Sequence, residues 1–143
     1  MKKIKNTVLA LMSLMVKSMA FKANDNMVFA ENLPNEVKNF VQLNFPRQSV
    51  AYAEKNVTDE GTTYEVMLND GTEVTFNNNG AWGMVDCKIE SVPASLMPTT
   101  LKSFVASQFV ETKVVRIAKM IGGYVATLSN GIVLRLDQNG ALA

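Results

Sequence analysis

Apolar positions along this chain keep two rhythms in turn. Val37, Phe40, Val41 and Phe45 fall at helical spacing, with Lys38, Asn39, Gln42 and Asn44 between them. That spacing predicts an amphipathic helix with one apolar stripe and Leu33 packed at its start. Pro34 suits the first helical position, where a missing N–H costs nothing, and Glu36 complements the helix dipole. Pro46 ends the helix because it cannot donate to the preceding turn. The rhythm then shortens to two. Strands are expected over 50–56, 63–68, 72–76 and 81–89. Tyr64, Val66, Leu68, Val74 and Phe76 share the inward face, and the last strand carries Trp82, Val85, Cys87 and Ile89. Trp82 and Val85 differ in parity, which places a bulge near Gly83. Residues 58–61, Asn69-Asp70-Gly71 and 77–80 read as turns.

The whole pattern then recurs. Pro34, Lys38, Phe40, Val41 and Phe45 return as Pro98, Lys102, Phe104, Val105 and Phe109. Val50 and Lys55 return as Val114 and Lys119. After a short gap, Tyr64, Leu68, Gly71 and Asn79-Gly80-Ala81 return as Tyr124, Leu128, Gly131 and Asn139-Gly140-Ala141. Self-similarity of this kind implies a tandem duplication. A second helix is expected over 98–109, then strands over 113–120, 124–128 and 132–136, with the sequence stopping where a fourth strand would begin. The expected fold class is α+β: two tandem units of helix plus antiparallel β-meander, with the helices packed on one face of the sheet. The organisation is a leader over 21–32, a first unit over 33–90, a linker over 91–96 and a second unit over 97–143.

The first residues follow a different rule. Lys2, Lys3 and Lys5 precede an apolar run over 7–16, and Ser18-Met19-Ala20 offers small residues to a signal peptidase. This is a secretory signal peptide over 1–20, too short in its apolar part for a permanent bilayer span. Ala23 and Ala30 are alternative cleavage points. Without a Cys near the cut, no membrane anchor is expected after cleavage. The 143-residue chain holds 14 basic and 13 acidic residues. Cleavage after Ala20 takes four lysines and no acid, leaving 10 basic and 13 acidic residues and a net charge of −3. An acidic chain is a poor binder of nucleic acid. Cys87, the one cysteine, has no disulfide partner within the chain, so an exported protein must rely on its core.

Candidate chemistry is thin. The chain has no His, which excludes Ser-His and Cys-His pairs and histidine metal sites. Cys87 reads as a small apolar residue on an inward position. Asn77, Asn78, Asn79 and Asp137 have the composition of calcium loops but not the spacing of an EF-hand, and read as turn residues. Asp59 and Glu60 sit in a turn, and Gly122-Gly123 makes a tight hairpin rather than a phosphate loop. These readings point to a protein that is not an enzyme and needs no cofactor or metal.

Leu33-Pro34, Val37, Phe40-Val41, then Asp70-Gly71, Val74, Phe76, Gly80 and Trp82 form a pattern that resembles the PepSY-like family, also described as beta-lactamase-inhibitor-like secreted proteins of Gram-negative bacteria. The resemblance extends over about residues 33 to 142. The second unit departs from it with Asn130 for Asp70 and Leu142 for Trp82. The resemblance implies a periplasmic or secreted protein of tandem helix-plus-sheet units, and by analogy in fold it suggests inhibition of a hydrolase.

Alternation also names the residues that leave the core. In the first unit these are Tyr52, Glu54, Glu65, Met67, Glu73 and Thr75; in the second, Val114, Arg116, Val125, Thr127, Val133 and Arg135. One half is acidic and the other basic. Such a face is either ordinary solvated sheet or a docking surface with aromatic and Met anchors between charges. The expected function is a secreted or periplasmic module that binds a protein partner, with carriage or sensing of a small envelope ligand as the alternative. Large side chains at nearly every inward position argue against a ligand pocket. Exported protein is expected to begin at or shortly after Phe21. N-terminal sequencing checks this, and an intact Met1 on exported protein refutes it.

Overall fold

A computed structural model describes residues 26–143. The signal peptide expected over 1–20 and the first residues of the expected leader lie outside the described residues. The fold is α+β: helices α1 (Asn35–Asn44) and α2 (Thr99–Gln108) and seven strands. The strands are β1 (Val50–Thr58), β2 (Gly61–Leu68), β3 (Glu73–Phe76), β4 (Trp82–Asp86), β5 (Val114–Met120), β6 (Gly123–Leu128) and β7 (Val133–Asp137). They form one sheet in sequence order, each antiparallel to the next. The two halves join where β4 pairs with β5, through Met84 with Ala118, Val85 with Ile117 and Asp86 with Arg116.

Both helices start on a proline, one residue later than expected. Pro34 and Pro98 have ψ of 151° and 142°, so they are extended and stand just outside α1 and α2. Their carbonyls accept the first helical hydrogen bonds, from Lys38 N and Lys102 N, each at 3.1 Å. Both helices close on a phenylalanine in nearly the same conformation, Phe45 at φ −135°, ψ 60° and Phe109 at φ −131°, ψ 62°. The turn at Gly80 presses on the first turn of α1, and a Cβ there would lie 2.9 Å from Glu36 Cβ. Gly140 stands in the same relation to Pro98. Both adopt positive φ as well, so glycine is needed twice over.

One core joins both halves. Val37 and Val41 of α1 and Leu101 and Val105 of α2 belong to one buried cluster with Ala53, Val66, Leu68, Val74, Phe76, Val85, Ile117, Ala126, Leu128, Leu134 and Leu136. Phe40 and Phe104 are only partly buried and pack at the margin. Phe40 meets Phe76 edge to face at 5.2 Å, and Phe104 meets Phe109 at 5.8 Å. The stripe is therefore centred on the valines rather than the phenylalanines.

Three bulges break strict alternation. The expected one is present: Thr75 faces Met84 while Phe76 faces Trp82, which leaves Gly83 as the extra residue. The other two occupy matching places, between Val50 and Tyr52 and between Val114 and Arg116. The second overturns the outward placement of Val114. Val114 pairs with Leu128 and is 3% exposed within the core, because the bulge at Val115 reverses parity behind Arg116. The strand expected to run to Ile89 ends instead at Asp86. Asp86 Oδ1 accepts from Lys88 N at 2.9 Å, Lys88 takes φ 65°, and Ile89 is turned into solvent. Cys87 is buried as a core residue, and burial pushes its thiol up to about 11.

The described part of the leader is pinned rather than loose. Val28 N donates to Ala53 O at 2.9 Å, Lys55 N donates to Asn26 O at 2.8 Å, and Met27 bridges to Glu54 on the outer edge of β1. At the other edge, Ala143 N donates to Arg135 O at 3.0 Å and Leu142 bridges to Leu136, a short echo of a fourth strand. Both edges thus carry a few paired residues that blunt them.

Leu101 is fully buried, whereas Leu43 on α1 is 80% exposed. Leu101→Ala is expected to lower unfolding free energy by about 2–5 kcal/mol and Leu43→Ala by no more than about 0.5 kcal/mol, measured by urea denaturation. Equal effects would show that α2 does not anchor the shared core.

Candidate functional site

The face of the sheet away from the helices is ordered by strand register into two rows that cross all seven strands. One row runs Glu54, Glu65, Thr75, Met84, Ala118, Val125, Arg135. The other runs Tyr52, Met67, Glu73, Asp86, Arg116, Thr127, Val133. Each residue in a row stands directly opposite the next, and such cross-strand neighbours have Cβ atoms about 5 Å apart. Eleven of the twelve outward residues named from the sequence therefore share this face, and Val114 does not.

They do not share one degree of exposure. Glu65, Val133 and Arg135 are exposed, and Tyr52, Glu54, Met67 and Arg116 are half-buried. Glu73 at 4% and Val125 at 5% are buried, against the expectation of an exposed face. For Glu73 the cause is its surroundings. It stands between Met67 and Asp86, and the left-handed turn at Lys88 brings that side chain back over the sheet, where Lys88 Nζ donates to Glu73 Oε1 at 2.9 Å. Val125 stands mid-row between Ala118 and Arg135.

The centre of the second row is a compact charge network. Lys88 Nζ lies 3.7 Å and Arg116 Nε 3.9 Å from Asp86 Oδ2. The side chains of Glu73, Asp86 and Arg116 are 5%, 7% and 11% exposed. Buried carboxylates are costly unless paired, and here two cations face two anions. Asp86 and Lys88 were not singled out from the sequence. Continuing the alternation past Met84 would have placed Asp86 on this face, whereas Lys88 arrives only through the turn.

The pairing is incomplete. Among the described residues, the buried side-chain atoms without a hydrogen-bond partner are Tyr52 OH, Glu73 Oε2, Arg116 Nε and Thr127 Oγ1. All four belong to the second row. A buried polar atom left unpaired costs about 1–3 kcal/mol, so this row carries hydrogen-bonding capacity that the described chain does not use. In the first row Glu54 and Glu65 stand directly opposite each other. Although Glu65 reaches solvent, the surrounding sheet strips part of the water from its carboxyl and raises it from the usual glutamate value, and the Glu54 and Glu73 carboxylates push it the same way. Burial also raises Glu73, opposed by its hydrogen bond to Lys88.

Polar turns elsewhere are satisfied internally. Asn77 Oδ1 accepts from Asn79 N at 2.8 Å and Ala81 N at 3.1 Å, and Asp137 Oδ1 accepts from Asn139 N at 2.9 Å and Ala141 N at 3.0 Å. Two shallow clefts lie at the ends of the sheet. One, of about 270 Å³, is lined by Phe45, Arg47, Asp70, Cys87 and Glu90; the other, of about 320 Å³, by Glu36, Thr62, Tyr64 and 77–80.

The sequence model of a family described as "Putative beta-lactamase-inhibitor-like, PepSY-like" matches residues 62–143. No curated protein matches this sequence. Similar solved structures include a "putative periplasmic protein of unknown function" from Bacteroides vulgatus, 31% identical, with a TM-score of 0.75, covering 80% of this chain and 92% of that one. A "putative calcium-regulated periplasmic protein" from Bacteroides thetaiotaomicron is 28% identical, with a TM-score of 0.77, covering 82% of this chain and 93% of its own. A second Bacteroides vulgatus periplasmic protein is 27% identical, with a TM-score of 0.76, covering 85% and 97%. Among the described residues no helix is long and apolar enough to cross a membrane.

The raised value at Glu65 fixes the sign of a pH effect. Folded Glu65 holds its proton more tightly than the unfolded chain, so its ionisation costs stability. That cost is absent below the ordinary glutamate range and grows as pH rises through the folded value. Glu65→Gln is expected to be more stable than wild type at neutral pH, by a few tenths to about 1 kcal/mol, with the advantage vanishing in acid. Melting temperature against pH for both proteins checks this; an advantage that persists in acid would assign it to another cause.

Proposed function

The chain belongs to the PepSY-like, beta-lactamase-inhibitor-like family, and from that premise we propose that it is a non-enzymatic periplasmic or secreted module that binds a protein through the sheet face opposite its helices. The observation that carries this reading is the row of Tyr52, Glu73, Arg116 and Thr127, each of which has one buried side-chain atom without a hydrogen-bond partner among the described residues. Those atoms are closed to solvent in the free protein, so a docked surface would supply the missing hydrogen bonds once the side chains turn outward to meet it. Tyr and Arg are also typical interface anchors, and Met67 beside them can repack against varied surfaces. The family's description makes an envelope hydrolase the first class of partner to try, with inhibition or modulation as the consequence.

Export by a signal peptide over 1–20 fits the periplasmic proteins of similar fold. Descent of the two halves from one duplicated unit accounts for their matched proline starts, phenylalanine ends and bulges. Carriage of a small ligand is the weaker reading, because Phe76, Leu68, Leu101 and Ile117 fill the space between helices and sheet. The calcium regulation named for one similar protein is not carried over: Asn77 Oδ1 and Asp137 Oδ1 each already accept two backbone hydrogen bonds that shape their turns.

Tyr52→Phe separates binding from folding. It removes one buried hydroxyl that has no partner in the free protein, so the melting temperature should hold or rise. Capture of the partner from periplasmic extract, quantified by mass spectrometry against wild type, should weaken by about tenfold, which is about 1.4 kcal/mol. Equal capture by a folded variant would remove this face from the binding reading.

A further inference from the structure

The sheet face proposed above as a docking surface orders its charges in a self-complementary way. Resting on that reading, we propose that its partner is a second copy of this chain, seated face to face about a two-fold axis parallel to the strands. The order of charge across the sheet carries the argument. Glu54, Glu65 and Glu73 lie on β1, β2 and β3, while Arg116 and Arg135 lie on β5 and β7. The acidic side of the face is thus on one flank and the basic side on the other, with β4 at the midline.

An axis parallel to the strands, midway between two facing sheets, keeps height along the strands and reverses strand order. β1 of one copy then faces β7 of the other, β2 faces β6, β3 faces β5 and β4 faces itself. In the first row Glu54 meets Arg135 of the second copy, and Met84 meets its own equivalent at the axis. In the second row Glu73 meets Arg116, and by symmetry Arg116 meets Glu73. Glu73 Oε2 and Arg116 Nε lack hydrogen-bond partners within the described chain, Arg116 Nε lying 3.9 Å from Asp86 Oδ2. Tyr52 meets Val133, which is 43% exposed. Like charges meet at Asp86 with itself, where each Asp86 already has Lys88 at 3.7 Å and Arg116 at 3.9 Å, and at Lys88, which lies 2.9 Å from Glu73 and so beside the second copy's Arg116, between carboxylates that separate the two cations.

The alternative in-plane axis, perpendicular to the strands, would set β1 on β1 and β2 on β2. Acid would then lie on acid and base on base, so repulsion selects the first axis. The chosen axis is an isologous arrangement, in which each contact occurs twice and the assembly closes at two copies. It keeps the two strand sets aligned, as face-to-face sheets do at about 10 Å separation and about 30° rotation. It also relieves the opposition of Glu54 and Glu65 within one chain by bringing Arg135 of the second copy beside them.

Analytical ultracentrifugation of exported protein tests this, with wild type, Glu54→Arg, Arg135→Glu and an equimolar mixture of the two variants. Wild type is expected at twice the chain mass. Each variant alone should dimerise at least about tenfold more weakly. The mixture should regain the wild-type affinity as a heterodimer, because one of its two cross-pairs is native and the other has both signs reversed. Glu54→Arg removes the opposition to Glu65, so at dilutions where both it and wild type are monomeric its melting temperature should not fall, and melting both variants there separates weakened association from unfolding. A monomeric wild type, or a dimer indifferent to both substitutions, overturns the proposal. If wild type is monomeric while Tyr52→Phe still weakens capture of a periplasmic protein, the face belongs to a foreign partner and only the self-association is lost. If the charge swap behaves as expected while Tyr52→Phe leaves capture unchanged, the second copy is the occupant and the foreign partner falls.

Discussion

A β-sheet places successive side chains on opposite faces, and among the described residues both helices lie on only one of them. Every other residue of seven strands must therefore sit where neither α1 nor α2 lies against it. The helix face is uniform. Valines, leucines and one isoleucine interlock with the stripes of α1 and α2, and the apolar area removed from water there supplies most of the stabilising free energy. The other face is mixed, and its composition needs a separate explanation. Acids gather on one flank, bases on the other, and a buried charge network lies near the middle.

Pairing of β4 with β5 makes the two halves interdependent. Without it each helix would cover a short sheet with two raw edges, and a unit of that size buries little apolar area. With it, Val85 and Ile117 meet across the junction and both belong to the cluster that includes Val37 and Leu101. The same pairing sets Asp86 opposite Arg116, so the joint that completes the core also completes the charge network on the reverse side. Stability and the candidate docking surface are thus tied to a single register.

Charge at that joint is poorly explained as a stabilising device. A buried ion pair repays its desolvation only with good geometry, and the Asp86–Arg116 contact of 3.9 Å is longer than a hydrogen bond. Glu73 keeps one oxygen without a partner, and the direct opposition of Glu54 and Glu65 works against folding. An apolar row would hold the sheet together at least as well. Such local conflicts are what a surface shaped for recognition would contain.

Much of this was legible in the sequence, because local rules operate there without competition. The helices, the turns at Gly71 and Gly131, the bulge at Gly83 and the α+β class follow from period, proline and glycine alone. Alternation also put eleven residues on the non-helical face where strand register has them. Its failures have a common physical cause. Val114 was misplaced because a bulge at Val115 changes parity, and nothing in a Val-Val pair signals which residue is the extra one. Ile89 was misplaced because the Asp86 side chain captures Lys88 N and ends the strand early. Phe40 and Phe104 lie at the margin rather than the centre because the helix is rotated by what the sheet offers, here Phe76 and the valines. What the sequence could not contain was distance between remote segments. That Glu73, Asp86, Lys88 and Arg116 form one network, leaving particular atoms unpaired, depends on β3, β4 and β5 lying side by side in one register, and pairing energy in the folded sheet decides that register.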